Sequence, residues 1–209
     1  DNCFANNKLT GGFRWVDFTP PADGTNEVRD QLIGNGATCG LGVNTSNVKE
    51  TGVKQGSKLA YNTRFGIHPN SGVYTKANAA PDFTGYAYPN KAPGSPVIAP
   101  TLPYAGPIIA YTNYRIRQAA HTPYIDNQYK GGKVNGNVST TAEHSAYGAE
   151  RRLVGIPVIE CGSVNVVPIV GMACVLMLNP MENGANGDIY LEYLGNAAAA
   201  DSPCTSSGL

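Results

Sequence analysis

Residues 151–195, RRLVGIPVIECGSVNVVPIVGMACVLMLNPMENGANGDIYLEYLG, hold the densest run of branched apolar side chains in the chain. Arg152 to Glu160 is rich in Val and Ile. The polar group Gly162-Ser163-Val164-Asn165 interrupts it, Val166 to Leu178 resumes it, and Asn179-Pro180 stops it. Branched apolar runs of this length between turn formers predict strands. Asp188 to Leu194 alternates, with Ile189, Leu191 and Tyr193 on one face and Tyr190, Glu192 and Leu194 on the other, as a half-buried strand does. The expected core is an antiparallel hairpin of Arg152–Cys161 with Val166–Leu178, joined in the same sheet by Asp188–Leu194.

Composition agrees with that core. A chain of 209 residues with 25 Gly, 15 Pro and 12 Tyr against 5 Phe is turn-rich β structure rather than a helical bundle. The predicted class is mostly β (α+β): an antiparallel sheet or sandwich with long Pro/Tyr-rich loops and one short helix near residues 25–33. One domain spanning 1–209 accommodates the length, with 197–209 read as a polar, flexible tail. Lys plus Arg equal Asp plus Glu, at 15 each, so no basic face exists to neutralise phosphates and nucleic acid is not an expected partner. The sequence has no signal peptide and no apolar run of about 18 residues, so nothing in it is expected to span a membrane.

Outward from the core, Gly12 to Phe18 alternates as a short strand before Thr19-Pro20-Pro21. Asp23 or Thr25 can cap a helix that places Val28 and Leu32 on one face and exits at Gly34. Between Gly34 and Thr140 loops and short strands are expected. The Pro-rich passage 89–107 cannot supply central strands, and Ile108 to Arg117 reads as a strand.

Chemical signatures are few. There is no GxSxG elbow, HExxH pair, Walker loop or DxDxDG calcium loop in the sequence, so no catalytic residue is assigned. His68, His121 and His144 each sit in polar or turn-forming surroundings without a partner at motif spacing, and are expected to be solvated loop histidines. The loop Glu182–Asp188 gathers oxygen ligands of the kind calcium accepts; a hairpin turn explains it equally well. Beyond that calcium reading no cofactor is expected. Tyrosines crowd the middle of the chain, and Tyr86, Tyr88 and Tyr104 are the interaction candidates, since a tyrosine ring is apolar and its hydroxyl polar. Cys3, Cys39, Cys161, Cys174 and Cys204 form no CxxC pair and no cluster with His, which favours disulfides in an oxidising compartment over zinc. In the expected hairpin the Cα atoms of Cys161 and Cys174 lie more than roughly 20 Å apart, beyond the roughly 7 Å a disulfide spans. Cys161 must then look to Cys3, Cys39 or Cys204, and Cys174, mid-strand among Met172, Val175 and Leu176, is expected to be a buried free thiol.

The boxes GGFRWVDF (11–18), Cys39, Val48-Lys49-Glu50-Thr51-Gly52, Tyr61-Asn62-Thr63-Arg64-Phe65-Gly66-Ile67-His68, ERRLVGIPVIEC (150–161), PIVGMACVLMLNP (168–180) and GDIYLEYLG (187–195) follow one another along nearly the whole chain. In that order they resemble the TadE/TadG-like proteins of the Tad (Flp) pilus system. Arg14 stands where the family usually has Gly, and the DxSxS metal motif of some TadG proteins is missing, so no metal adhesion site is carried over. The resemblance implies a non-catalytic, minor-pilin-like or assembly subunit, periplasmic or displayed on a filament. Its membrane contact would come only through an N-terminal helix outside this sequence, and its partners would be other pilus subunits or copies of itself. It also favours Cys39 as the partner of Cys161. The alternatives are a self-polymerising exported filament or adhesin subunit, and, third, a secreted carbohydrate-active domain.

Overall fold

The computed structural model describes residues 15–17, 25–34, 46–50, 55–84, 111–112, 114–115, 118, 136–159, 166–178, 180–181, 189 and 191–205. The apolar hairpin forms as expected: β5 (Leu153–Ile159) pairs antiparallel with β6 (Val166–Met177), from Leu153 opposite Leu176 to Ile159 opposite Ile169. β6 is 12 residues long and β5 is 7, and on its other side β6 serves two partners in succession. β2 (Ser46–Glu50) lies along its start and β7 (Leu191–Asn196) along its end, while β1 (Trp15–Asp17) extends the sheet from β2. The result is a five-stranded sheet, all of whose pairings are antiparallel.

Pro157 sits within β5 without breaking it. The Arg152 carbonyl accepts from Met177 N at 2.8 Å, so Arg152 and every second residue after it turn backbone groups toward β6. Pro157 belongs to the other set. Its missing N–H faces away from β6, where no ladder bond is lost.

The second half of β6, Ala173 to Met177, reads as a continuous apolar run because the sheet is covered there on both faces. Cys174 and Leu176 pack with Leu153, Tyr114, Leu178, Ala197 and Cys204 on one side. Met177 packs with Tyr61, Phe65, Ile67 and Met181 on the other, with Val154 and Leu191 alongside. Leu176, fully buried, contributes roughly 2–3 kcal/mol by removal from water alone.

Helix α1 (Thr25–Ile33) lies where the capping signals put it, and Gly34 leaves it at φ 90°. Its Leu32 and Ile33 pack against Leu59 and Ala60 of α2 (Gln55–Thr63), with Tyr74 and Ala79 completing the cluster. A two-stranded ribbon, β3 (Ile67–His68) with β4 (Asn137–Val138), leads into α3 (Thr141–Tyr147).

Four expectations are corrected. Helices α2 and α3 occupy sequence read as loop and short strand; α3 begins at a capping box in which Thr140 and Glu143 exchange side-chain bonds with each other's backbone N–H. Tyr111, Thr112, Tyr114 and Arg115, expected in a strand, are helical, as is Gln118 just beyond it. The Glu192 carboxylate accepts from Tyr111 N at 2.7 Å at the start of that segment, and Tyr111 and Tyr114, three apart, stack at 6.3 Å on one face. The last strand runs Leu191–Asn196 rather than Asp188–Leu194. Residues 197–205 of the expected tail are anchored: Ala197 and Cys204 are buried, and Ala197 N donates to Met172 O at 2.9 Å.

Candidate functional site

The strongest concentration of polar chemistry in the described residues centres on Asp82, which is completely buried. Its backbone N–H donates to Arg64 O at 2.9 Å, and Asp82 forms a parallel bridge with Ala149, so the carboxylate is held from both sides. Its Oδ1 accepts from the backbone N–H of Thr84 at 2.8 Å and from the Thr84 hydroxyl, an Asx-type turn. Its Oδ2 accepts from Arg151 N at 2.8 Å, Arg152 N at 2.9 Å and the Tyr114 hydroxyl at 3.3 Å. Burial, then the neighbouring carboxylate charge of Asp82, pushes the Tyr114 phenol far above its ordinary value, so it remains a donor.

The Arg152 side chain is buried beside this hub. Nε donates to Met177 O at 2.9 Å, Nη1 to Thr84 Oγ1 at 2.9 Å and Nη2 to Leu178 O at 3.4 Å. Its guanidinium lies over the Phe65 ring at 5.1 Å and the Tyr114 ring at 5.7 Å from the centroids, the geometry in which a desolvated cation is attracted to an aromatic face. One carboxylate and one guanidinium thus tie the segment 82–84, the start of β5, the end of β6 and the helical segment of Tyr114 into one unit.

Two further arginines, Arg64 and Arg151, close α1. Arg64 donates through Nε to Leu32 O at 2.9 Å and Nη2 to Gln31 O at 3.3 Å, while Arg151 donates through Nη2 to Leu32 O at 2.6 Å. They satisfy terminal carbonyls that α1 cannot pair internally and place positive charge at the negative end of its dipole. Arg64 Nη1 also donates to Arg151 O at 2.7 Å. Burial, then the charge of Arg151, lowers the Arg64 guanidinium to about 9, still charged at neutral pH.

His68 and His144 are buried, against the expectation of solvated loop positions. His68 Nε2 lies 3.0 Å from Ala79 O and its Nδ1 3.4 Å from Ser139 Oγ. His144 Nδ1 lies 2.6 Å from Asp82 O. The polar residues flanking each histidine misled the sequence reading: His144 lies on α3, where Glu143 and Ser145 point elsewhere while residue 144 faces inward. Gly66 is the cause of the close fit, since a Cβ there would stand 2.5 Å from both Cε1 and Nε2 of His144, and its φ is 76°. Gly66→Ala therefore combines a left-handed backbone with a steric clash and is expected to cost about 2–3 kcal/mol, read as a lower urea midpoint at unchanged slope.

The cysteine expectation is also revised. Cys174 is not a free thiol; it is bonded to Cys204, with Cα atoms 5.7 Å apart. This also removes Cys204 as a partner for Cys161. The tail folds back over the face of β6 that Cys174 shares with Leu176 and Leu178, an approach made by residues after β7 that strand register alone does not reveal. Cys3, Cys39 and Cys161 lie outside the described residues, as do Tyr86, Tyr88, Tyr104, His121 and the calcium-like loop 182–188. Among the described residues no three His, Cys, Asp or Glu side chains converge as a metal site, and no helix is long and apolar enough to cross a membrane.

Asp82 was not singled out from the sequence, although Asp82-Phe83-Thr84 is a legible turn signal. Nothing in the local sequence around Arg64, or around Arg152 just before β5, marks either as a buried guanidinium. No family model, curated protein or solved structure matches the chain.

Proposed function

We propose that this chain is a non-catalytic structural or assembly subunit, minor-pilin-like, of a bacterial Tad/Flp pilus, working by protein–protein contact in the periplasm or on the cell surface. The observation that carries this reading is where the reactive side chains are spent. Asp82 binds backbone N–H groups, Arg64, Arg151 and Arg152 bind backbone carbonyls, and His68 and His144 bind Ala79 O and Asp82 O. Buried groups paired to their own backbone rigidify a scaffold and are not presented to a substrate. The boxes that resemble TadE/TadG-like proteins contain Arg64, Phe65, Gly66, His68, Arg151 and Arg152, all of which lie in or against these buried contacts. The Cys174–Cys204 bond suits an oxidising compartment.

Self-polymerisation is the second reading, favoured by exposed apolar side chains on the sheet. Val158 is 43 % exposed, Val170 51 % and Tyr193 66 %. In the β5–β6–β7 register Val158 and Tyr193 fall on one face, since Val158 pairs with Gly171 and Val175 pairs with both Val154 and Tyr193.

The test is complementation in a pilus-bearing strain lacking the gene. The wild-type chain restores pili; a variant with Tyr86→Ala, Tyr88→Ala and Tyr104→Ala that folds normally by circular dichroism does not. Full piliation by that folded variant would remove the contact role assigned to these tyrosines. Full piliation without the gene would remove the pilus assignment itself. Concentration-dependent polymers of the purified chain, lost in Tyr193→Ser, would establish the second reading instead.

A further inference from the structure

We propose that His68 and His144 form an acid-sensitive lock: while both rings are uncharged they clamp a lobe made of α3 and the β3–β4 ribbon onto the segment Ala79–Thr84, and protonation loosens this lobe from that segment while the β5–β6–β7 sheet, with Asp82 bound to it, stays folded.

The geometry of His144 carries the argument. Its Nδ1 faces a carbonyl, Asp82 O, at 2.6 Å, so Nδ1 must bear the proton in the neutral ring. Nε2 is then a bare lone pair, fully buried and without a hydrogen-bond partner, pressed against Gly66. A buried acceptor left unmade is tolerable. Protonation would turn that atom into a charged, buried N–H donor beside Gly66 that has no hydrogen-bond partner among the described residues, which is the costly case. His68 repeats the logic less severely: Nε2 donates to Ala79 O at 3.0 Å, and Nδ1 is the acceptor that faces Ser139 Oγ at 3.4 Å. A charged ring forces Ser139 to turn its hydroxyl proton away.

The two rings close the same joint. Ser139 N donates to Gly66 O at 2.7 Å, tying β4 to β3, and Ala149 N donates to Pro81 O at 3.0 Å, tying the exit of α3 to the segment before Asp82. The charges that face the lock come from every packed element. Asp82 and Glu143 favour a charged His144 and Arg152 opposes it; Lys76 and the other imidazole oppose a charged His68, while the carbonyls of Ala79 and Gly66 favour it. Burial outweighs these in both cases and holds each ring below its ordinary value of 6.5.

The sign follows. Each histidine binds its proton more tightly unfolded than folded, so the stability it confers is fully present above about pH 6.5 and is lost as pH falls below that value. The Lys76–Glu143 pair acts in a different window. The hydrogen bond from Lys76 holds the Glu143 carboxyl at about 2, from an ordinary 4.5, so its contribution fades only below about pH 4.5.

The experiment is amide hydrogen exchange and imidazole NMR on the whole chain between pH 7.5 and 5.0. Protection at Ser139, His144 and Ala149 is expected to fall up to about tenfold per pH unit for each histidine, hence up to about a hundredfold for the pair, while Val175 and Leu176 keep theirs. The double variant His68→Gln/His144→Gln, which retains donors toward Ala79 O and Asp82 O without a titrating group, is expected to show a flat profile. Two imidazoles titrating near 6.5 with lobe protection unchanged would overturn the proposal. If the double variant does not fold, the wild-type titration and exchange profile decide by themselves. This outcome is independent of the pilus reading, which complementation tests separately.

Discussion

Asp82→Ala is expected to cost about 3–5 kcal/mol of folding stability, the largest loss from any single substitution considered. The carboxylate accepts from three backbone N–H groups, those of Thr84, Arg151 and Arg152, and from the hydroxyls of Thr84 and Tyr114. All belong to residues that are wholly or mostly buried. Each buried donor left without an acceptor costs about 1–3 kcal/mol before relaxation, and a domain of this kind has only about 5–15 kcal/mol in total. Asp82→Asn separates charge from hydrogen bonding. Its carbonyl oxygen can serve the Thr84 side, but its amide group then points N–H at the N–H groups of Arg151 and Arg152, so most of the loss should remain. Urea unfolding followed by circular dichroism gives the answer, and a loss under about 1 kcal/mol for the alanine variant would show that the hub is not what joins these segments.

Breaking the Cys174–Cys204 bond is the second large effect. The bond closes a loop of sequence separation 30, for which the loss of unfolded-chain entropy is worth roughly 3.5 kcal/mol. Both cysteines are fully buried, so the tail from Ala197 onward should also loosen from β6. Cys204→Ser is expected to lower Tm by roughly 7–14 °C in a chain of this length, and dithiothreitol should bring the wild type to a similar value once the bond is exposed by unfolding. Equal stability of the oxidised and reduced protein would count against a stabilising role. Peptide mapping that pairs Cys174 with any other cysteine would overturn the bond itself.

Part of the candidate site was legible and part was not, and the division is physical. Thr140-Thr141-Ala142-Glu143 is a capping box whose reading needs only four adjacent residues, so α3 could have been found from sequence; its polar composition hid the single inward face that carries His144. Tyr111 and Tyr114 were read as strand positions because aromatic, branched sequence favours strands. Glu192, 81 residues away, supplies the acceptor for Tyr111 N and burial of Tyr114 supplies the rest, and no local pattern contains either.

By itself the sequence determined the antiparallel hairpin of β5 and β6, the strand that joins it after Asp188, helix α1 with its exit at Gly34, and the strand-dominated class. These follow from periodicity, branched side chains and turn residues, which act over a few neighbouring positions. Tertiary structure alone decided that the second half of β6 is covered on both faces, that Cys174 finds Cys204, that residues 197–205 fold back over the sheet, and that Asp82, Arg152 and the two histidines meet in the interior. Each depends on segments brought together from far apart in the chain: Arg152 meets Thr84 across 68 positions, and His144 meets Asp82 across 62. Contacts of that range are fixed by which faces must be buried and which donors must find acceptors once the chain has collapsed, and those conditions exist only in the assembled fold.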